Sequence, residues 1–234
     1  MSWLDRFFGN KPALSPQQAR RLAAWQALPS PRQDASLKTS RYVVVDVESS
    51  GLNISRDRLI AIGAVAVTNG QIQLNDSLEI VLQQARVSAK DNILIHGIGG
   101  TAQREGMPPA EALLAFLEYL GKDPLIAFHV AFDEPMISRA MKAYLGLNFR
   151  HAWADLAYVA PALYPQLARQ YRKLDDWMGL FQIRNYARHN ALADALSTAE
   201  LLLALNPELE ARKAASLAGL KSLERERRRQ IQPV

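Results

Sequence analysis

Residues 41–52, Arg-Tyr-Val-Val-Val-Asp-Val-Glu-Ser-Ser-Gly-Leu, constrain this chain more than any other stretch. Tyr42 to Val45 is an apolar, largely β-branched run of the kind found in strands buried on both faces. Asp46 and Glu48 enter the same strand one residue apart. Because strand side chains alternate, both point to one face at the strand's end. Two like charges held there cost several kcal/mol unless a cation or a proton compensates them. Ser49-Ser50-Gly51 then breaks the strand and leaves the carboxylates at its rim. Oxygen donors in this arrangement suit a hard divalent cation, Mg²⁺ or Mn²⁺. Taken alone, an Asp-x-Glu reads first as the solvated end of an ordinary strand, and only the rest of the chain overturns that reading.

The 234 residues are 49% hydrophobic and 22% charged, enough for one well-cored domain with appendages. No apolar run approaches ~18 residues, so no membrane span is expected. The start, Met-Ser-Trp-Leu-Asp-Arg-Phe-Phe, lacks the pattern of a signal peptide, and a cytoplasmic protein is the expectation. Cysteine is absent, which excludes disulfides, thiolate metal sites and thiol nucleophiles. The net charge of +5 resides in the ends. Residues 1–40 carry six Lys/Arg against two Asp/Glu and residues 207–234 seven against four, while 41–206 is slightly acidic, 15 against 17. Bound dications would reverse the local field of such a core, and the basic ends suit phosphates or an acidic partner.

Along the chain, Trp3, Leu4, Phe7 and Phe8 share one face of a short helical pattern suited to docking. Ser15-Pro16-Gln17-Gln18 reads as a cap, an N1 proline and a capping-box Gln opening a helix to about Ala27. The segment 29–40 reads as a linker and domain boundary. Strands are expected at 41–47, 59–68 and 71–81, the last two joined by an Asn69-Gly70 type I′ hairpin. Residues 83–106 are irregular, with His96-Gly97-Ile98-Gly99-Gly100 as a flexible turn. Helices follow at 108–119, 134–145, 155–163, 174–180 and 190–205, with a short buried strand at 124–128. The pattern is α/β with a mixed sheet, organised as a basic extension (1–40), a core domain (41–206) and a basic tail (207–234). For the tail, a solvated or frayed helix and a nucleic-acid-binding helix both fit.

Two further blocks carry acids. Phe132-Asp133 sits where strand 124–128 gives way to a helix, and by itself Asp133 reads as a helix cap. In His189-Asn190-Ala191-Leu192-Ala193-Asp194, Asn190 caps a helix, Asp194 falls in its first turns, and His189 lies just before it. Asp-x-Glu, Phe-Asp and a His followed five residues later by Asp, in this order, resemble the DnaQ-like 3′–5′ exonucleases of the DEDDh type, such as the epsilon-type proofreading exonuclease of DNA polymerase III. Gly51-Leu52, Ile95-His96-Gly97-Ile98 and Leu174-Asp175 fit as well, and the resemblance covers about residues 41–205. One position departs. That family's second block usually reads His-Asn-x-x-Phe-Asp, whereas Phe128 here replaces the His and His129 stands where the Asn would be.

The resemblance implies a ribonuclease H-like fold, a mixed β-sheet flanked by helices, and metal-dependent phosphodiester hydrolysis at 3′ ends of single-stranded DNA or RNA. It implies two Mg²⁺ or Mn²⁺ ions, one held by Asp46, Glu48 and Asp194 and one by Asp46 and Asp133. His189 is the candidate general base, since an imidazole accepts a proton near neutral pH. Backbone amides around Ser49, Ser50 and Gly51 are expected near the terminal 3′-hydroxyl, Leu52 against the terminal base, and His129 as a hydrogen-bond donor to the substrate backbone. For Leu52, packing under the strand fits equally. A polymerase or other partner could dock on the basic termini. The competing reading is a catalytically weak module that grips 3′ ends or a polymerase, and only the altered second block supports it.

Overall fold

The computed structural model describes residues 12–30, 34, 36–185 and 187–231. The aromatic segment around Trp3 and Phe7 lies outside them. The hydrophobic run at 41 becomes β1 (Arg41–Ser49), which takes the centre of a five-stranded sheet because its side chains are buried on both faces. Helix α1 (Pro16–Ala27) precedes it, opened by the expected capping box of Ser15 and Gln18. β2 (Leu59–Thr68) and β3 (Gln71–Val81) follow, antiparallel, across a turn in which Asn69 and Gly70 both have positive φ, as a type I′ hairpin requires.

Next come α2 (Lys90–His96), α3 (Gly100–Glu105), α4 (Pro109–Leu120), β4 (Leu125–Ala127), α5 (Val130–Leu145) and β5 (Trp153–Asp155). The chain then continues through α6 (Leu156–Leu163), α7 (Leu174–Phe181), α8 (Ala191–Ala211) and α9 (Leu217–Ile231). The strand order is β3-β2-β1-β4-β5, with β4 and β5 parallel to β1. This is the mixed sheet that the sequence implies.

Strand alternation sends odd and even residues of β1 into separate cores. Val43, Val45 and Val47 pack with α1, α4 and α5, whereas Tyr42 and Val44 pack with α6, α7, α8 and α9. Asp46 and Glu48 follow the even register, so they emerge on the α8 side.

The structure differs from the sequence reading at four places. Residues 83–106 contain two short helices, and His96 is buried rather than part of a flexible turn. Its Nε2 meets Asn92 Oδ1 at 2.9 Å, its Nδ1 accepts from the Ile98 amide at 2.9 Å, and Gly97 ends α2 with a φ of 71°. Helix α5 starts at Val130, four residues early, so Asp133 is not its cap. The cap comes from a distant residue, because the Asp155 carboxylate accepts from the amides of His129 (3.0 Å) and Val130 (3.1 Å) as well as Ala157 (3.0 Å). Helix α8 runs past 206 to Ala211, so the expected boundary falls inside it. The basic tail is a packed helix, neither solvated nor frayed: Leu217, Leu220 and Leu223 are buried, and Tyr42 Oη accepts from the Leu217 amide at 3.0 Å. At the other end, α1 packs on α4 through buried Leu22 and Trp25, and the Trp25 indole donates to the Gly121 carbonyl at 2.6 Å.

Candidate active site

Three carboxylates meet at the C-terminal end of β1. Side-chain oxygens of Asp46, Glu48 and Asp194 all lie within 4.8 Å of one another. β1 supplies the first two on one face, and the first turns of α8 supply the third. Gly63 on β2 makes the approach possible. It pairs with Asp46 in the sheet register, and a Cβ there would lie 2.1 Å from the backbone of Ala191 and Leu192. The N-terminus of α8 therefore rests directly on strand backbone beside Asp46.

Asp133 is also buried, but it reaches the strand end from α5, which packs on the opposite face of the sheet. Its carboxylate accepts a hydrogen bond from the Val47 amide. It stands outside the trio yet close enough for its charge to act on Asp46.

Electrostatics follow from this crowding. Burial, reinforced by the charges of Asp133, Asp194 and Glu48, holds the Asp46 carboxyl well above the usual carboxylate range. Burial and the neighbouring Asp194 charge push Glu48 up to about 8. Asp133 is raised as well, by burial and by the charge of Asp155. The local counterweight is Arg188, whose guanidinium pairs with Asp194 and, at 2.7 Å, with Asp175. Asp194 also accepts from Asn185 Nδ2 at 2.5 Å and from the His189 amide at 3.2 Å.

A cleft of about 440 Å³ opens over these groups, lined in part by His129, Lys173, Arg188 and His189. His189 has a φ of 62° and an exposed side chain, so its main chain is tied to Asp194 while its imidazole faces the cleft. His129, with a φ of 72°, is exposed as well, and its ring meets the edge of Phe128 with centroids 4.8 Å apart. Phe128 itself is buried in the α8-side core, which accounts for an apolar residue at that position.

Of the residues around the strand break, Leu52 is 88% exposed and does not pack under the strand. The Ser50 amide, expected near the substrate, instead donates to the Arg58 carbonyl at 2.9 Å. Its hydroxyl donates to Asp57 at 3.0 Å and accepts from the Arg58 amide at 2.9 Å, while Ser49 Oγ donates to the Gly51 carbonyl at 2.6 Å. Asp57 also receives the Asn53 amide, at 2.8 Å, so the turn that displays Leu52 is internally braced.

Sequence reading missed Gly63, Arg188, Asn185 and Asp155. Arg188 carried a local signal as a cation directly before His189, and Asp155 one as an acid opening the helix expected at 155–163.

A mixed sheet with acids at its central strand end, and the oxygens of three carboxylates converging on one point, is a ribonuclease H-like arrangement whose site fits a hard dication. Residues 43–202 match the RNase_T family model, described as exonuclease, and the chain belongs to this family of DnaQ-like 3′–5′ exonucleases. It is similar to the PolC-type DNA polymerase III of Caldanaerobacter subterraneus, 28% identical over 83% of this chain. It is also similar to that of Bacillus subtilis, 29% identical over 71%. The chain spans only 13% and 11% of the length of those relatives. Among solved structures, exonuclease I of E. coli in complex with a dT13 oligonucleotide aligns with a TM-score of 0.62 at 17% identity, over 74% of this chain and 42% of that one. Cell-death related nuclease 4 aligns with a TM-score of 0.61 at 15% identity, over 73% and 64%. Among the described residues no helix is long and apolar enough to cross a membrane.

Proposed function

We propose that this chain removes nucleoside monophosphates from the 3′ ends of single-stranded nucleic acid in a reaction that requires Mg²⁺ or Mn²⁺. The observation that carries the reading is the trio Asp46, Glu48 and Asp194, converged from two elements within 4.8 Å beneath a cleft. These three would hold one dication, and Asp46 with Asp133 a second, approached from the other face of the sheet. Such a pair of ions lowers the pKa of the attacking water and neutralises the leaving 3′ oxygen.

The chain's own residues do the rest. His189 stands exposed beside Asp194 and takes the proton from the water as general base. The braced turn Ser49–Leu52 offers Leu52 to the terminal base, and His129 donates to the substrate backbone. Contacts of this kind read sugar and stacking, so sequence preference is weak. Association with a polymerase belongs to the same reading, supported by the far longer PolC-type relatives and by the basic residues near both ends.

The test is digestion of 5′-labelled single-stranded DNA and RNA of one sequence with Mg²⁺, Mn²⁺ or EDTA, by wild type and Asp46→Ala. A ladder that shortens from the 3′ end only with metal, and that the variant abolishes, is the expected result. Intact strands under every metal condition would refute the activity, and measurable binding would then make the chain a 3′-end-binding module.

A further inference from the structure

Beyond His129 the surface opens into a second cleft, of about 390 Å³, and His129 lines both this cleft and the one over the carboxylates. Its walls combine two aromatic rings, Tyr158 and Tyr171, with three cations, Arg169, Arg172 and Arg227, and no Asp or Glu lines it. Arg169 and Arg172 are exposed, and among the described residues neither guanidinium has a carboxylate partner. The Nε of Arg227 is buried without a hydrogen-bond partner among those residues. Arg228 lies over the Tyr158 ring at 3.8 Å and holds it in place while itself pairing with Glu224. Arg227 comes from α9, beyond residue 202 where the family match ends.

Arg227 Nη1 donates to Gln230 Oε1 at 3.2 Å, but among the described residues no carboxylate neutralises the guanidinium. Aromatic faces interleaved with arginines that keep their charge are what a single strand needs, stacking for its bases and charge for its phosphates. We infer that this cleft is the track for the nucleotides 5′ of the scissile phosphate, entered past His129 and walled by α9. The inference rests on the exonuclease reading for its direction, because the terminal nucleotide then occupies the carboxylate cleft and the remaining strand must leave it. An acidic surface would repel that strand. Here the exit next to His129 is the one with three arginines and no acid.

The experiment uses the full chain and the variant Arg169→Gln/Arg172→Gln/Arg227→Gln, with Arg225→Gln/Arg229→Gln/Lys213→Gln as a control of equal charge loss. In EDTA, binding of a fluorescein-labelled octathymidylate is followed by anisotropy across a salt series. Three lost phosphate contacts should reduce the slope of log Kd against log salt by about 2, at roughly 0.7 per contact on a single strand. The control should keep the wild-type slope. With Mg²⁺, the wild-type preference for an octanucleotide over a dinucleotide, read as kcat/KM, should narrow at least tenfold in the groove variant. Unchanged slope and unchanged length preference would overturn the inference, and so would an equal effect in the control, which would assign the change to the general field. A wild type that binds the strand but never cleaves it would refute the exonuclease reading alone, since the EDTA arm still judges the cleft.

Discussion

Asp46 is surrounded by three other carboxylates and lies against the hydrophobic end of β1, so its ionised form is costly until a cation neutralises it. Asparagine has the same shape and no charge. Asp46→Asn should therefore remove a ligand and lower the nuclease rate by orders of magnitude, while raising the melting temperature of the metal-free protein. At this chain length each ~1 kcal/mol relieved corresponds to roughly 2–4 °C. The gain should grow with pH, because the wild-type carboxyl is increasingly forced to ionise. Calorimetry in EDTA decides the matter, and a variant that melts earlier at alkaline pH would show that Asp46 is stabilising as a charge. Arg188 offsets part of this crowding, since its guanidinium pairs with Asp194 and its charge acts against the rise at Asp46 and Glu48.

At the scale of elements, the site depends on how closely α8 sits on β2. Gly63 has no special φ; its role is to lack a side chain where helix backbone crosses. Gly63→Ala has to displace the start of α8, and overpacking of this kind costs about 1–3 kcal/mol. Because His189 and Asp194 ride on that end of the helix, activity at a temperature where the variant is fully folded should fall by more than tenfold. Gly99→Ala, at the cap of α3 where an added Cβ meets no atom within 4 Å, is the matched control: it forfeits at most about 1 kcal/mol of capping and should leave activity unchanged. Full activity in Gly63→Ala would mean that the metal trio does not require this approach. Asp155 acts at the same scale, since one carboxylate on β5 caps α5 and α6 and thereby orients His129.

For the whole molecule, the acids at the site link stability to pH and to metal. Glu48, pushed up to about 8 from an ordinary 4.5, keeps its proton in the folded state over a range where the unfolded chain has lost it. The folded state then binds more protons, so stability falls as pH rises from about 5 to about 8. Asp46 and Asp133, raised in the same direction, add to the slope. Melting in EDTA should accordingly drop across this window, and Mg²⁺ or Mn²⁺ should restore it, with the largest gain at the alkaline end where the ligands are already unprotonated. Metal-free stability that is flat or rising over the same window would contradict the burial of these charges.

Much of this is legible in the sequence. Alternation along Tyr42–Glu48 dictates that Asp46 and Glu48 share a face, Asn69-Gly70 dictates the hairpin, and Ser15 with Gln18 dictates the start of α1. Each of these depends on backbone geometry within a few residues. The order of the three acidic blocks likewise indicated the family. What only the tertiary structure decided are relations across the sheet and between distant segments. Asp133 approaches from the face opposite Asp194, Asp155 caps a helix 25 residues upstream, and α9 closes the second core instead of trailing in solvent. The α5 start is not legible locally because its cap is distant, and of the two readings open for the tail the solvated helix gives way because three leucines spaced along a highly charged helix disclose a buried face only when there is a surface to bury them. Local sequence specifies which groups are available and which way a strand turns them. Their final partners are set by packing, whose energy depends on residues far apart in the chain.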